Sequence, residues 1–133
     1  MKRYKAKGVI LMQAVAAVLM IAILSAVTIV AGRTYINAGK RSTAAADTAA
    51  LGGFISQYHM EIGSYPGTLS DLTKAKGQYG PWIRAVPRDP FGNSYQYSSN
   101  EKKGFIVFSV GQDGRAASSI DNGICGDDIG YSE

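Results

Sequence analysis

Cysteine and histidine are nearly missing from this chain: Cys125 and His59 stand alone among 133 residues. One cysteine forms no internal disulfide, and one Cys with one His builds no paired zinc site. Cys125 reads either as a small loop residue or, in an exported domain, as a free or intermolecular thiol. Catalytic apparatus is missing too. There is no Ser-His-Asp set in a suitable context, and the glycines around Gly111 and Gly114 lack a strand–Walker–helix arrangement. No histidine pair offers a hydrolytic metal. The chain therefore reads as built to pack, not as an enzyme.

A basic body is also absent. The formal charge is +4, from 14 Lys and Arg against 10 Asp and Glu. Lys2, Arg3, Lys5 and Lys7 all precede Gly8, which leaves a neutral remainder of ten basic and ten acidic residues. A neutral body without a basic stripe makes no electrostatic case for nucleic acid. The basic tip belongs to a membrane-topology signal instead.

What is present is a long apolar run. From Val9 to Ala31 there are 23 residues without a charge. As a helix rising ~1.5 Å per residue they span roughly 35 Å, enough for a ~30 Å hydrocarbon core. A secretory signal has a shorter apolar region of about 7–15 residues followed by a small-residue cut site, which is not found here. A small soluble domain rarely buries a helix that is apolar all round. The clustered charges before Gly8 favour a cytoplasmic N-terminus, with the remainder outside the cytoplasm.

Beyond Gly32 the helix is expected to continue to about Ile62. Leu51, Phe54, Ile55, Tyr58 and Ile62 recur at spacings of three and four, as a stripe packing on a sheet. His59 reads as a surface or packing residue. Gly52-Gly53 costs helix stability and marks an expected kink. Gly63-Ser64-Tyr65-Pro66 stops the helix. A short helix follows, with Thr68 or Ser70 as N-cap ahead of Leu69 and Leu72.

Pro87, Pro90 and Gly92-Asn93 form a tight loop. Ser94–Ser98 alternates, with Tyr95 and Tyr97 on one face, and Phe105–Val110 is a second β-rich run. Between them the charged stretch Asn100–Gly104 reads as a turn, which makes an antiparallel hairpin near residues 93–110. An acidic loop over 111–130 carries Asp113, Asp121, Asp127 and Asp128, with no strand expected between Asp113 and Asp128. On the residues alone this loop is either a solvated turn or a cation site of the oxygen-rich kind calcium takes, and it is not an EF-hand.

These motifs carry a resemblance. A basic leader, Gly8, and an apolar helix running into an amphipathic one resemble the start of a type IV pilin or pseudopilin. The Tyr65-Pro66 pair, DPFGNSYQY (89–97), FIVFSVGQDG (105–114) and the Asp128-Ile129-Gly130 ending resemble the major, G-type pseudopilin of type II secretion systems. The resemblance covers nearly the whole chain. It implies an α+β, pilin-like fold with a long N-terminal helix packed on a small antiparallel β-sheet. Residues 1–8 would be the leader, 9–31 the transmembrane and filament-core helix, 32–62 its soluble half, and 63–133 the globular head.

By the same resemblance, a prepilin peptidase cuts between Gly8 and Val9, and Val9 is N-methylated. The chain would be a homopolymer subunit of a periplasmic pseudopilus in the bacterial inner membrane, N-terminus cytoplasmic and head periplasmic. It would work with minor pseudopilins and an inner-membrane assembly platform and ATPase to drive protein export. A calcium ion is implied in the C-terminal loop, held by Asp113 and the Val110 carbonyl, with Asp121, Asp127 and Asp128 completing the set. Two positions depart from the family pattern: Val9 stands where Phe is usual, and Gln13, at assembly position five, where Glu is usual. Gln13 accepts a hydrogen bond but supplies no countercharge. The alternatives are a type IV pilin subunit, or an uncut single-pass protein with a small extracytoplasmic binding domain.

Overall fold

The computed structural model describes residues 3–133, with side chains for 8–26 and 32–133. The expected basic leader lies outside the described side chains except for Gly8. One α-helix, α1, spans Arg3–Ile62, followed by a 3₁₀ turn at Leu69–Thr73 and three strands, β1 (Gln96–Asn100), β2 (Gly104–Ser109) and β3 (Ile129–Ser132). The order of long helix then small sheet is the α+β architecture expected. The chain divides into two compact units, residues 1–38 and 39–133.

In the first unit, Gly8–Ala26 is long and apolar enough to cross a membrane, and none of it is buried by the chain's own residues. Within it Ser25 returns its hydroxyl to the Ile21 carbonyl at 2.7 Å. The segment has the properties of a single-pass anchor.

The second unit has its own core. From Gly39 onward α1 buries Ala44, Thr48, Leu51, Ile55 and Tyr58, a spacing of four, three, four and three that keeps one face inward. The buried Thr48 hydroxyl is satisfied by the Ala44 and Ala45 carbonyls at 2.9 and 3.0 Å. Gly63, at φ 83°, ends the helix by donating its N–H to the His59 carbonyl at 2.8 Å. Of the two expected N-caps of the next turn, Thr68 is used: Asp71 Oδ2 accepts from its N–H and hydroxyl at 2.9 and 3.1 Å.

The sheet has order β1-β2-β3, antiparallel throughout, with Tyr97 opposite Val107 and Val107 opposite Tyr131. Central β2 is buried on both faces. Phe105 and Val107 join Leu51, Ile55, Tyr58, Leu69, Leu72 and Tyr95 in the main cluster, while Ile106, Phe108 and Val110 form a second cluster with Ile120 packed against it. The C-terminal loop thus covers the face of the sheet that the helix leaves open.

Three details differ from expectation. The first strand starts two residues later, because Arg88 bridges Ser94 and holds the preceding loop together, and it runs on to Asn100. β3 was not expected: its four residues are too few to show an alternating pattern. Helix α1 also runs through Gly52-Gly53 without interruption. Gly52 has a packing reason instead: a Cβ there would stand 2.5 Å from Tyr131 Cδ1.

Candidate functional site

Two regions carry the candidate residues. The first is the start of α1. Gly8, Val9 and Gln13 all lie within the helix and are exposed, and nothing comes within 4 Å of a Cβ placed on Gly8. This stretch is therefore open to another molecule along its whole length.

The second region is the loop block around β2. Asp89, only 4% exposed, holds it together. Its Oδ1 accepts the N–H groups of Phe91 and Asn93 at 3.1 and 2.6 Å, and its Oδ2 accepts the Ser109 hydroxyl at 2.6 Å. Ser109 Oγ in turn accepts the Gly111 N–H at 3.1 Å. One carboxylate thus folds the Pro90–Asn93 loop and fastens it to the end of β2, where the acidic loop begins. The motif owes its aspartate to this buried role. Tyr95 reaches back to α1, donating to Asp47 Oδ2 at 2.9 Å. Burial, and after it this hydrogen bond, pushes the Tyr95 phenol up.

The acidic residues of the loop have separate surroundings. Asp121 is exposed and paired with Lys103. Asp127 is paired with Arg41 of α1 and accepts the Gln112 N–H at 2.8 Å. That backbone bond, together with the Arg41 guanidinium, holds its carboxyl below the ordinary range. Asp113 is exposed and folds its own turn, accepting the Arg115 N–H at 2.9 Å. Val110 is buried in the second cluster.

Asp128 is the exception. It is 6% exposed, and its Oδ2 accepts the N–H groups of Ala117 and Ser118 at 2.8 and 2.6 Å. Its Oδ1 is buried with no partner among the described residues. A buried carboxylate oxygen without a donor is costly, and a bound cation relieves that cost. Asp128 therefore fits the role of an oxygen ligand for calcium. No group of three or more His, Cys, Asp or Glu side chains able to hold a metal comes together among the described residues. Asp121 and Asp127 are instead drawn toward cationic partners.

His59 stacks on Tyr65 with ring centroids 4.1 Å apart, as a packing residue. Cys125 is half-buried, and its N–H donates to Ser118 Oγ at 2.9 Å. Sequence reading missed Asp89, Arg41 and Tyr131. Asp89 was visible only as part of a quoted motif. The partners of Arg41 and Tyr131 lie about 80 residues away in sequence, where no local pattern reaches.

Comparison with known proteins bears on the chain from residue 33 onward. The profile described as "Type II secretion system (T2SS), protein G" matches residues 33–127. The chain belongs to this family. A type II secretion system core protein G from Pseudomonas aeruginosa is 28% identical over 131 residues, covering 90% of this chain and 92% of that protein. The core protein G of Vibrio cholerae is 36% identical over 83 residues, 54% of this chain and 57% of that protein. That of Xanthomonas campestris is 31% identical over 93 residues, 65% of each. As a protein G family member the chain is a major-type pseudopilin subunit of a type II secretion system. Such pseudopilins are structural proteins, and the apolar start of α1 fits a single-pass anchor within the system.

Proposed function

We propose that this chain is cut after Gly8, methylated on Val9, and polymerised through its N-terminal helix into a periplasmic pseudopilus that drives protein export. The observation that carries the reading is the joining, in one helix, of an unburied apolar segment beginning at Gly8 to a head of the protein G family. An apolar helix covered by nothing of its own requires either lipid or other copies. It would pass from one to the other as the subunit leaves the bilayer. Minor pseudopilins, a prepilin peptidase and an inner-membrane platform and ATPase would be its partners, with the N-terminus cytoplasmic and the head periplasmic. Lacking a carboxylate at position five, Gln13 would dock a neighbouring ammonium only by its amide oxygen, and so more weakly. Mass spectrometry of the membrane-extracted chain tests the reading. A mass lacking residues 1–8, with one added methyl group, is expected, and an intact chain beginning at Met1 refutes it.

Calcium in the C-terminal loop is a second proposal, supported by the orphaned Oδ1 of Asp128. Asp128, Asp113 and the Val110 carbonyl would hold it, and Asp121 and Asp127 would join only by releasing Lys103 and Arg41. Calcium would supply a hard cation taking 6–8 oxygens and would pin the loop to β2. At a hundredfold excess over its dissociation constant such a ligand stabilises by about 2.7 kcal/mol. Melting with calcium and with chelator tests this. Identical midpoints remove the proposal, and Asp128→Asn is expected to abolish any difference.

A further inference from the structure

We infer that the helical turn just beyond the apolar run, Arg33 with Tyr35 and Ile36, is a docking surface for anionic phospholipid headgroups in the leaflet on the C-terminal side. The inference rests on the apolar run of α1, Val9–Ala31, spanning a membrane and requires nothing about cleavage or filament growth.

Three observations carry it. The first is charge. No aspartate or glutamate precedes Asp47, so this whole part of the helix is cationic or neutral. Lys40 lies over the Phe91 ring and Arg41 is paired with Asp127, whereas Arg33 is exposed and enters none of the ion pairs of the described residues. The second is exposure. Tyr35 is 79% and Ile36 61% exposed, large apolar side chains that the first unit leaves bare. Ile36, one turn on from Arg33, shares its side of the helix.

The third is continuity with the span. The apolar run reaches Ala31, and Tyr35 follows about 6 Å further along the helix. That is the depth of a headgroup layer, about 5–7 Å on each side of the hydrocarbon. One helical turn carrying an aromatic with a polar tip and, on another side, a guanidinium on a long stem suits that layer: the ring and stem lie on acyl carbons while the hydroxyl and charge meet phosphate. Arg over Lys also fits, because its planar donor fork matches phosphate oxygens in pairs. The surface would hold the unassembled subunit at a fixed height in the bilayer.

The test uses the full chain carrying Cys125→Ser, so that a single introduced thiol can be labelled. A small fluorophore goes on Thr34→Cys or, in the middle of the span, on Ala17→Cys. Vesicles contain phosphatidylcholine and phosphatidylglycerol at low protein content. A nitroxide near the headgroup is carried by either the anionic or the zwitterionic lipid, at the same mole fraction. Stronger quenching at position 34 by the anionic lipid is expected. Arg33→Gln should cut that enrichment by about fivefold, and the distant Arg115→Gln should leave it unchanged. Equal quenching by both lipids overturns the inference; if deep nitroxides still quench position 17, the membrane-spanning reading stands. No quenching at either position overturns both. Protection of position 34 from both lipids, with energy transfer between labelled copies, overturns it in favour of a second copy of this chain.

Discussion

Gly52→Ala sets two effects of known sign against each other. In an open helix the change is worth about 1 kcal/mol of added stability. Here the new methyl carbon would meet Tyr131, whose Cδ1, Cε1 and Cγ stand 2.5, 2.9 and 3.1 Å from the Cβ position. Tyr131 sits in β3 and packs on Phe105 with ring centroids 5.9 Å apart, so its ring cannot yield without losing that contact. Overpacking of this kind costs about 1–3 kcal/mol. The packing term is expected to win, making Gly52→Ala neutral to about 2 kcal/mol destabilising. Removing the ring first reverses the sign: in a Tyr131→Ala background the same change should stabilise by about 1 kcal/mol. Urea melts of residues 39–133, which contain both hydrophobic clusters, measure all four corners of the cycle. Equal stabilisation by Gly52→Ala in both backgrounds refutes the reasoning, because the glycine would then owe nothing to the tyrosine.

Asp89→Ala would strand two part-buried N–H donors and the buried Ser109 hydroxyl; a loss of about 3 kcal/mol is expected in the same melts, against about 1 for Ser109→Ala. Acid stability should depend on Asp127. Its folded-state carboxyl lies below the ordinary 3.8, so the stability it lends is complete above that value and disappears as pH falls through the folded one. Arg41→Gln should move the acid-unfolding limb to higher pH, and superimposable limbs for the two chains would count against the pair. Phe108→Ala, in the second cluster, should cost about 3–5 kcal/mol.

The long helix, its stop at Gly63 and the hairpin could be read from the sequence because each is specified within a few residues. Apolar spacing, a glycine cap and β-rich alternation are local signals. The inward Tyr95 and Tyr97 were legible for that reason, and both lie in or against the main cluster. β3 was not, since Ile129–Ser132 becomes a strand only by pairing with β2. The acidic loop looked like one cluster of carboxylates because sequence shows charges in a row. In space, Lys103 and Arg41 draw two of them apart, and only Asp128 turns inward. Gly52-Gly53 read as a weak point because propensity is a local quantity, while the reason for Gly52 is a ring 79 residues further on.

That dependence of β2 on later residues has a consequence for biogenesis. Phe105 exchanges backbone hydrogen bonds with Glu133, at 3.1 Å in each direction, and β3 closes one side of the strand. Until the ribosome has delivered residues 129–133, that strand presents an unpaired, apolar edge of the kind that seeks strands from other chains. A nascent head already tethered by its helix would therefore need a chaperone, or physical spacing from its sisters, for the seconds before β3 emerges and pairs.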